Sequence, residues 1–150
     1  MTPKEYHLMI QHEYWANQLV IEQLLKLNEI PEKAKRIFDH VIGAQHVWIA
    51  RIKCESPLLA VWPNIQAEHW DSLAKDNFNS LIELTQTPEQ LNTTVSYKNS
   101  KGDEYTNPVY ELIIHLCLHS QYHRGQVVTL IRDLVEVPIP TDMIAYLRTL

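Results

Sequence analysis

The sequence predicts an all-α fold, and three observations carry that expectation. Only three glycines occur among 150 residues, few for the tight turns of a strand-rich sandwich. Apolar residues recur every three or four positions through most of the chain, which is the period of a helix face and not of a strand. Four stretches of roughly 20 to 27 residues each carry one apolar face, and a four-helix bundle buries such faces most economically. A hydrophobic content of 45% over 150 residues suits one domain, spanning 1–150, with a sizeable single core.

The first helix is expected over residues 4–28, with Leu8, Met9, Ala16, Leu19, Val20, Leu24 and Leu27 at its apolar positions. Thr2-Pro3 supplies a cap and a proline suited to the first turn, and Pro31 closes the loop that follows. The second covers residues 33–54, where Ile37, Val41, Ala44, Trp48 and Ile52 share an arc and Ser56-Pro57 ends it. Leu58 to Asn64 is apolar but proline-bearing and reads as a packed connection. A third helix starts at Ile65 or Gln66 and reaches Thr85, with Thr87-Pro88 terminating it. Thr93–Lys98 and Glu104–Thr106, around the turn Asn99–Asp103, read as a short hairpin between the third and fourth helices. Asn107-Pro108 opens the fourth helix, which runs to about Leu134 before Pro138 and Pro140, and a short helix falls within Thr141–Leu150.

The formal charge of -5, from 18 acidic and 13 basic side chains, is spread along the chain and forms no basic stripe. Nucleic acid is therefore not an expected partner. No apolar run reaches the length of about 18 residues that a membrane span needs, and Met-Thr-Pro-Lys-Glu-Tyr-His carries no long apolar segment, so a soluble cytoplasmic protein is expected. Cys54 and Cys117 are isolated, each in an apolar helical context, and read as buried thiols, with Cys117 on the side of its helix away from His119.

The run with the most chemistry is His115-Leu-Cys-Leu-His119-Ser-Gln-Tyr-His123-Arg-Gly-Gln126. Histidines four apart stack on one helix face. At 100° per residue, Leu112, Leu116, Val127, Leu130, Ile131 and Leu134 lie roughly 20° to 120° round from His119, so His119 and His123 sit on the edge of the core side. An imidazole turned toward a core needs a partner, because an unsatisfied buried polar group costs about 1–3 kcal/mol. A metal ion would satisfy two at once. A third ligand must come from His7, His12, His40, His46, His69 or His115. His40 flanks the second helix's apolar arc and His12 borders that of the first, whereas His46 faces solvent and His7 and His69 read as surface residues.

His40-Val-Ile-Gly-Ala44-Gln-His-Val-Trp48-Ile-Ala-Arg51-Ile52, together with His119-x-x-x-His123-Arg124-Gly125-Gln126, resembles the DinB (damage-inducible) family, which includes bacillithiol transferase-like proteins. Tyr14-Trp15-Ala16-Asn17 and Pro140-Thr141-Asp142-x-x-x-Tyr146-Leu147 resemble family features too, so the likeness spans almost the whole chain. It implies an up-down-down-up bundle, a homodimer, and a divalent metal held by His40, His119 and His123. Relatives often carry asparagine before the first ligand of the fourth helix, where this chain has Leu118. Several relatives use a low-molecular-weight thiol as cosubstrate, transferring it to electrophiles or using it in isomerisation, so the resemblance implies thiol S-transfer to an electrophilic small molecule as the leading chemistry.

Three neutral imidazoles leave a divalent ion an open position, the arrangement of catalytic and not of closed structural sites. Imidazole suits zinc, nickel, iron and copper, so ligand type narrows the metal without deciding it; zinc or nickel is the first expectation, with iron or manganese behind them. On helix phase, His115 is a packed histidine or one that supports a ligand, Arg124 is an interhelix salt-bridge residue, and Gln126 is placed to orient a histidine. Trp15, Trp48, Trp62, Trp70 and Tyr122 divide between plain core and a pocket wall. The rival readings are a non-catalytic metal-binding or stress-related protein and a dimerisation module.

Overall fold

The computed structural model describes residues 1–137 and 139–150, so Pro138, expected to help stop the histidine helix, lies outside the described residues. Four longer helices, α1 (Pro3–Lys26), α2 (Glu32–Lys53), α3 (Trp70–Glu83) and α5 (Val109–Ile131), are joined by the short α4 (Pro88–Asn92) and followed by α6 (Met143–Leu147). A two-stranded antiparallel sheet, β1 (Thr94–Lys98) with β2 (Glu104–Pro108), sits between α4 and α5. The fold is mostly helical, and this hairpin makes the expected all-α class inexact.

Local chemistry accounts for the boundaries. Thr2 caps α1 in a reciprocal box with Glu5, and Pro3 occupies the first turn, where its missing N–H costs nothing. α2 ends at Cys54, which adopts the left-handed conformation and donates its N–H to the Ala50 and Arg51 carbonyls. That cap turns Cys54 outward, so the expected buried thiol is exposed, whereas Cys117 is buried as expected. α3 is shorter than expected, at 14 residues, because a 3-10 turn over Ala67–His69 takes up its first part. α4 was not anticipated. Thr87 and Gln90 form the same reciprocal cap as Thr2 and Glu5, so Thr87-Pro88 starts a helical turn as well as following α3. In the hairpin, Asn99 Oδ1 accepts from the Lys101 and Asp103 N–H groups and Gly102 takes a φ of +88°, a turn that only glycine adopts without strain.

α1 packs against α3 and α5, and α2 packs against the same two helices, so the four longer helices enclose a common interior. That interior has two apolar clusters. One gathers Tyr6, Ile10, Ile49, Leu81, Leu112, Ile113 and Leu116 beneath the hairpin. The other gathers Val20, Leu24, Phe38, Ile42, Trp70, Val127 and Ile131 at the far end. Between them lies a buried polar layer drawn from all four helices. Gln45 donates to Glu13 and Ser120, Asn77 donates to Gln45 and to the Ile42 carbonyl, and Arg124 donates to Glu13, Asn17 and Gln121.

The expected phase of the histidine helix holds at Leu112, Leu116, Val127 and Ile131, which are buried, and fails at its margins. Leu130 and Leu134, placed on the core side by periodicity, are 37% and 55% exposed. Ile113, Ser120 and Arg124 are fully buried instead. α5 must face α1 as well as α2, and the ion pair of Arg124 with Glu13 extends its buried side beyond the apolar arc.

Candidate metal centre

His40 projects from α2 and His119 and His123 from α5, where the two helices meet beside the polar layer. Each of the three offers a ring nitrogen, and these nitrogens lie within 4.8 Å of one another. His40 Nε2 and His119 Nε2 are 3.2 Å apart, and the His40 ring meets those of His119 and His123 edge-on. His40 is 4% exposed, while His119 and His123 are half-buried.

The outward nitrogens have partners. His40 Nδ1 lies 2.7 Å from the Val61 carbonyl oxygen and His123 Nδ1 lies 2.8 Å from Gln126 Oε1. Both partners accept, so each Nδ1 carries its proton and each Nε2 turns a lone pair inward. His119 has at most one inward N–H to share between two acceptors. A further proton is a poor occupant, because burial, then the neighbouring His123, His40 and His115, hold the His119 imidazole down to about 4. Burial likewise lowers His40, against the raising effect of its bond to Val61. Neutral imidazoles with converging lone pairs and hydrogen-bonded outer nitrogens are the donor set that a divalent cation takes.

Val61 belongs to the connection between α2 and α3, which is held over the site from four points. The Asp39 carboxylate accepts from the Ile65 N–H, the Trp70 indole and Lys35. His46 Nε2 accepts from the Leu58 N–H at 3.0 Å. Pro63 and the Ala60 carbonyl press on Gly43, where a Cβ would sit 2.6 Å from Pro63 Cδ and 2.8 Å from the Ala60 oxygen. Trp62 stacks on the His40 ring, with centroids 3.8 Å apart and planes 8° apart. The segment read as a packed connection is therefore packed at Pro63 and the Val61 carbonyl, but Leu58 stands 90% exposed.

The remaining histidines separate from the three. His115 is exposed and meets Trp48 edge-on at 5.2 Å, beside His119 but outside the cluster. His12 Nε2 bonds to the Thr141 carbonyl at 2.8 Å and ties α1 to the segment before α6. His46, expected to face solvent, is partly buried through its bond to Leu58. Arg124 forms the expected interhelix salt bridge, with Glu13. Of the aromatic candidates, Trp70 is core and Trp62 and Tyr122 flank the cluster, the latter 5.1 Å from the His123 ring. The Val61 carbonyl and the role of Gly43 carry no sequence signal.

The rim of the cluster is open. Trp62, Leu118 and Tyr122 are 50%, 64% and 66% exposed, so Leu118 points to solvent and not at a ligand. Among the described residues no helix is long and apolar enough to cross a membrane.

Comparison with known proteins gives a family match and two relatives. The model of the DinB family matches residues 7–149. The chain is 24% identical over 157 residues to Protein DinB of Bacillus subtilis (strain 168), covering 93% of this chain and 91% of that protein. It is 26% identical over 153 residues to the uncharacterized protein YizA of the same organism, covering 97% and 93%. No solved structure gives a significant match.

Proposed function

The chain belongs to the DinB family, and from that premise we propose that it is a divalent-metal-dependent enzyme transferring a low-molecular-weight thiol to an electrophilic small molecule. The observation that carries this reading is the convergence of three ring nitrogens from two helices beneath an exposed rim. His40, His119 and His123 would hold the ion, and zinc or nickel suits three imidazoles best. A bound divalent ion lowers the pKa of a thiol that it meets, so that thiolate is available near neutral pH.

The chain's own groups supply the rest. Val61 and Gln126 keep the Nδ1 protons of His40 and His123 outward, so both rings present Nε2 inward. Trp62 covers one side of His40 and limits water there. In the transfer itself the sulfur forms a bond to the electrophilic carbon, the leaving group departs with its bonding pair, and the thiol proton passes to solvent. On this reading residues 1–150 form one domain, its long helices make an up-down-down-up four-helix bundle, and the protein works as a cytoplasmic homodimer.

Metal content of the untagged protein tests the site first. Near-stoichiometric zinc or nickel is expected in the wild type and none in His119→Ala/His123→Ala or His40→Ala, with His12→Ala and His115→Ala retaining it. Retention in His40→Ala would refute the trio. Transfer is then read as loss of free thiol in the presence of an electrophile. A loaded site that excludes exchangeable water would refute catalysis and assign the ion a structural role.

A further inference from the structure

We propose that the buried layer of Glu13, Gln45, Ser120 and Arg124 positions the three histidines: it fixes the rotation and register of α5 against α2, with Gln45 as the residue that joins the two helices. This rests on the reading of the histidines as a metal centre and adds the residues that hold its ligands in place.

The layer ties the two ligand-bearing helices together twice. Gln45 of α2 donates directly to Ser120 Oγ of α5 at 3.1 Å. Gln45 Nε2 and Arg124 Nη1, one from each helix, also converge on a single oxygen, Glu13 Oε1 of α1. Ser120 follows His119 in sequence and Arg124 follows His123, so each α5 member stands about 1.5 Å along the axis from a ligand and about 100° round from it. The Gln45 amide is oriented from both ends. Asn77 Nδ2 donates to the Ile42 carbonyl and to Gln45 Oε1, while the Glu13 carboxylate accepts from Gln45 Nε2. Neither the Ile42 carbonyl nor the carboxylate can donate, so reversing the amide would break bonds on both sides.

Stability does not account for the layer. Glu13 Oε2 and Arg124 Nε are buried with no partner within the protein, and a half-satisfied buried network is worse for stability than well-packed apolar residues of the same volume. A directed bond supplies what apolar packing lacks. The clusters on either side of the layer are apolar, and apolar burial is non-directional, whereas a buried polar contact specifies register at a cost in stability. Turning α5 by about 10° on its axis carries a side-chain end at a radius of about 5–6 Å through about 1 Å. Metal–ligand distances hold only to within about 0.2 Å, so the histidines need a tighter register than the apolar clusters impose.

The test compares the wild type with Gln45→Met, which keeps the side-chain length, and with Glu13→Leu/Arg124→Met, which replaces the ion pair by apolar groups. In the metal-free wild type, the His40 and His119 rings, with centroids 4.9 Å apart, should give a nuclear Overhauser effect between their ring protons. That signal should be lost in both variants while amide NMR shows α2 and α5 still helical. Zinc affinity, from competition with a chelator, should fall about tenfold or more in both, although the double variant regains most of the stability lost in Arg124→Met. Val20→Ala, destabilised in the far cluster, should keep both the signal and the affinity. Loss of either in Val20→Ala would reduce the layer's effect to stability and overturn the proposal. A wild-type signal in Gln45→Met, or wild-type zinc affinity in the double variant, overturns it too. Should Gln45→Met not fold, the double variant decides. A wild type that shows the ring signal and takes up no zinc refutes the metal reading, and the ring signal in the variants then decides the positioning by itself.

Discussion

Replacing Gly43 by alanine tests whether the connection over α2 governs the histidine cluster. The added methyl would lie 2.6 Å from Pro63 Cδ, 2.7 Å from Pro63 Cγ and 2.8 Å from the Ala60 carbonyl oxygen, where ordinary contact begins at 3.4 Å. One of these atoms is backbone and two belong to a rigid ring, so the loop must retreat by roughly 0.6 to 0.8 Å. Val61 lies between Ala60 and Pro63, and its 2.7 Å bond to His40 Nδ1 would stretch past the normal range. Overpacking costs about 1–3 kcal/mol, and alanine returns about 1 kcal/mol of helix propensity, leaving a net loss of roughly 0–2 kcal/mol. Zinc affinity should fall further, by about 10- to 100-fold, as for other lost partners of a ligating histidine. Competition with a chelator of known affinity measures the second quantity, and thermal unfolding of the metal-free protein measures the first. Val20→Ala, a truncation in the far cluster, should lower stability and leave zinc affinity unchanged. Zinc affinity within about twofold of wild type in Gly43→Ala would refute the argument that the Val61 carbonyl sets the His40 ring.

Three further outcomes are expected. Because His119 is held at about 4, below its ordinary 6.5, the unfolded chain binds more protons between those values. Stability of the metal-free protein from this group is therefore complete above pH 6.5 and lost as pH falls toward 4. Thermal unfolding across that window should show a shallower dependence in His119→Gln, and an unchanged slope would contradict the assignment. Arg124→Met should cost about 3–5 kcal/mol in denaturant unfolding by leaving Glu13 buried without its cation, and Glu13→Leu/Arg124→Met should recover most of it. A double variant no better than the single one would show that the ion pair is not the reason for the loss. Gln126→Ala should weaken zinc binding about tenfold while shifting the unfolding of the metal-free protein little, and unaltered affinity would remove Gln126 as the partner that orients His123.

Much of the fold is legible locally. Thr2-Pro3-x-Glu5 announces the start of α1, the apolar spacing marks the long helices within a few residues, and Val95 and Tyr97 alternating before an Asn99–Gly102 turn mark the hairpin. α4 escaped notice although Thr87-Pro88-Glu89-Gln90 carries the same capping signature, because a five-residue helix has no periodicity to display. The exposure of Cys54 and of Leu130 escaped for another reason. A left-handed cap and an ion pair from a distant helix set those environments, and neither leaves a mark in the neighbouring sequence.

Helical periodicity settles that His119 and His123 share a face and that His40 borders the core of its own helix, since those relations depend only on 3.6 residues per turn. It leaves undecided whether His40 or His12 joins them. Packing decides that: α2 lies against α5 so that nitrogens 79 residues apart come within 3.2 Å, while His12 is taken up by the Thr141 carbonyl, 129 residues away in sequence. The Val61 carbonyl and the Trp62 ring likewise reach His40 only through the path of the loop. Every residue has a carbonyl, so only the folded chain determines which one an imidazole meets.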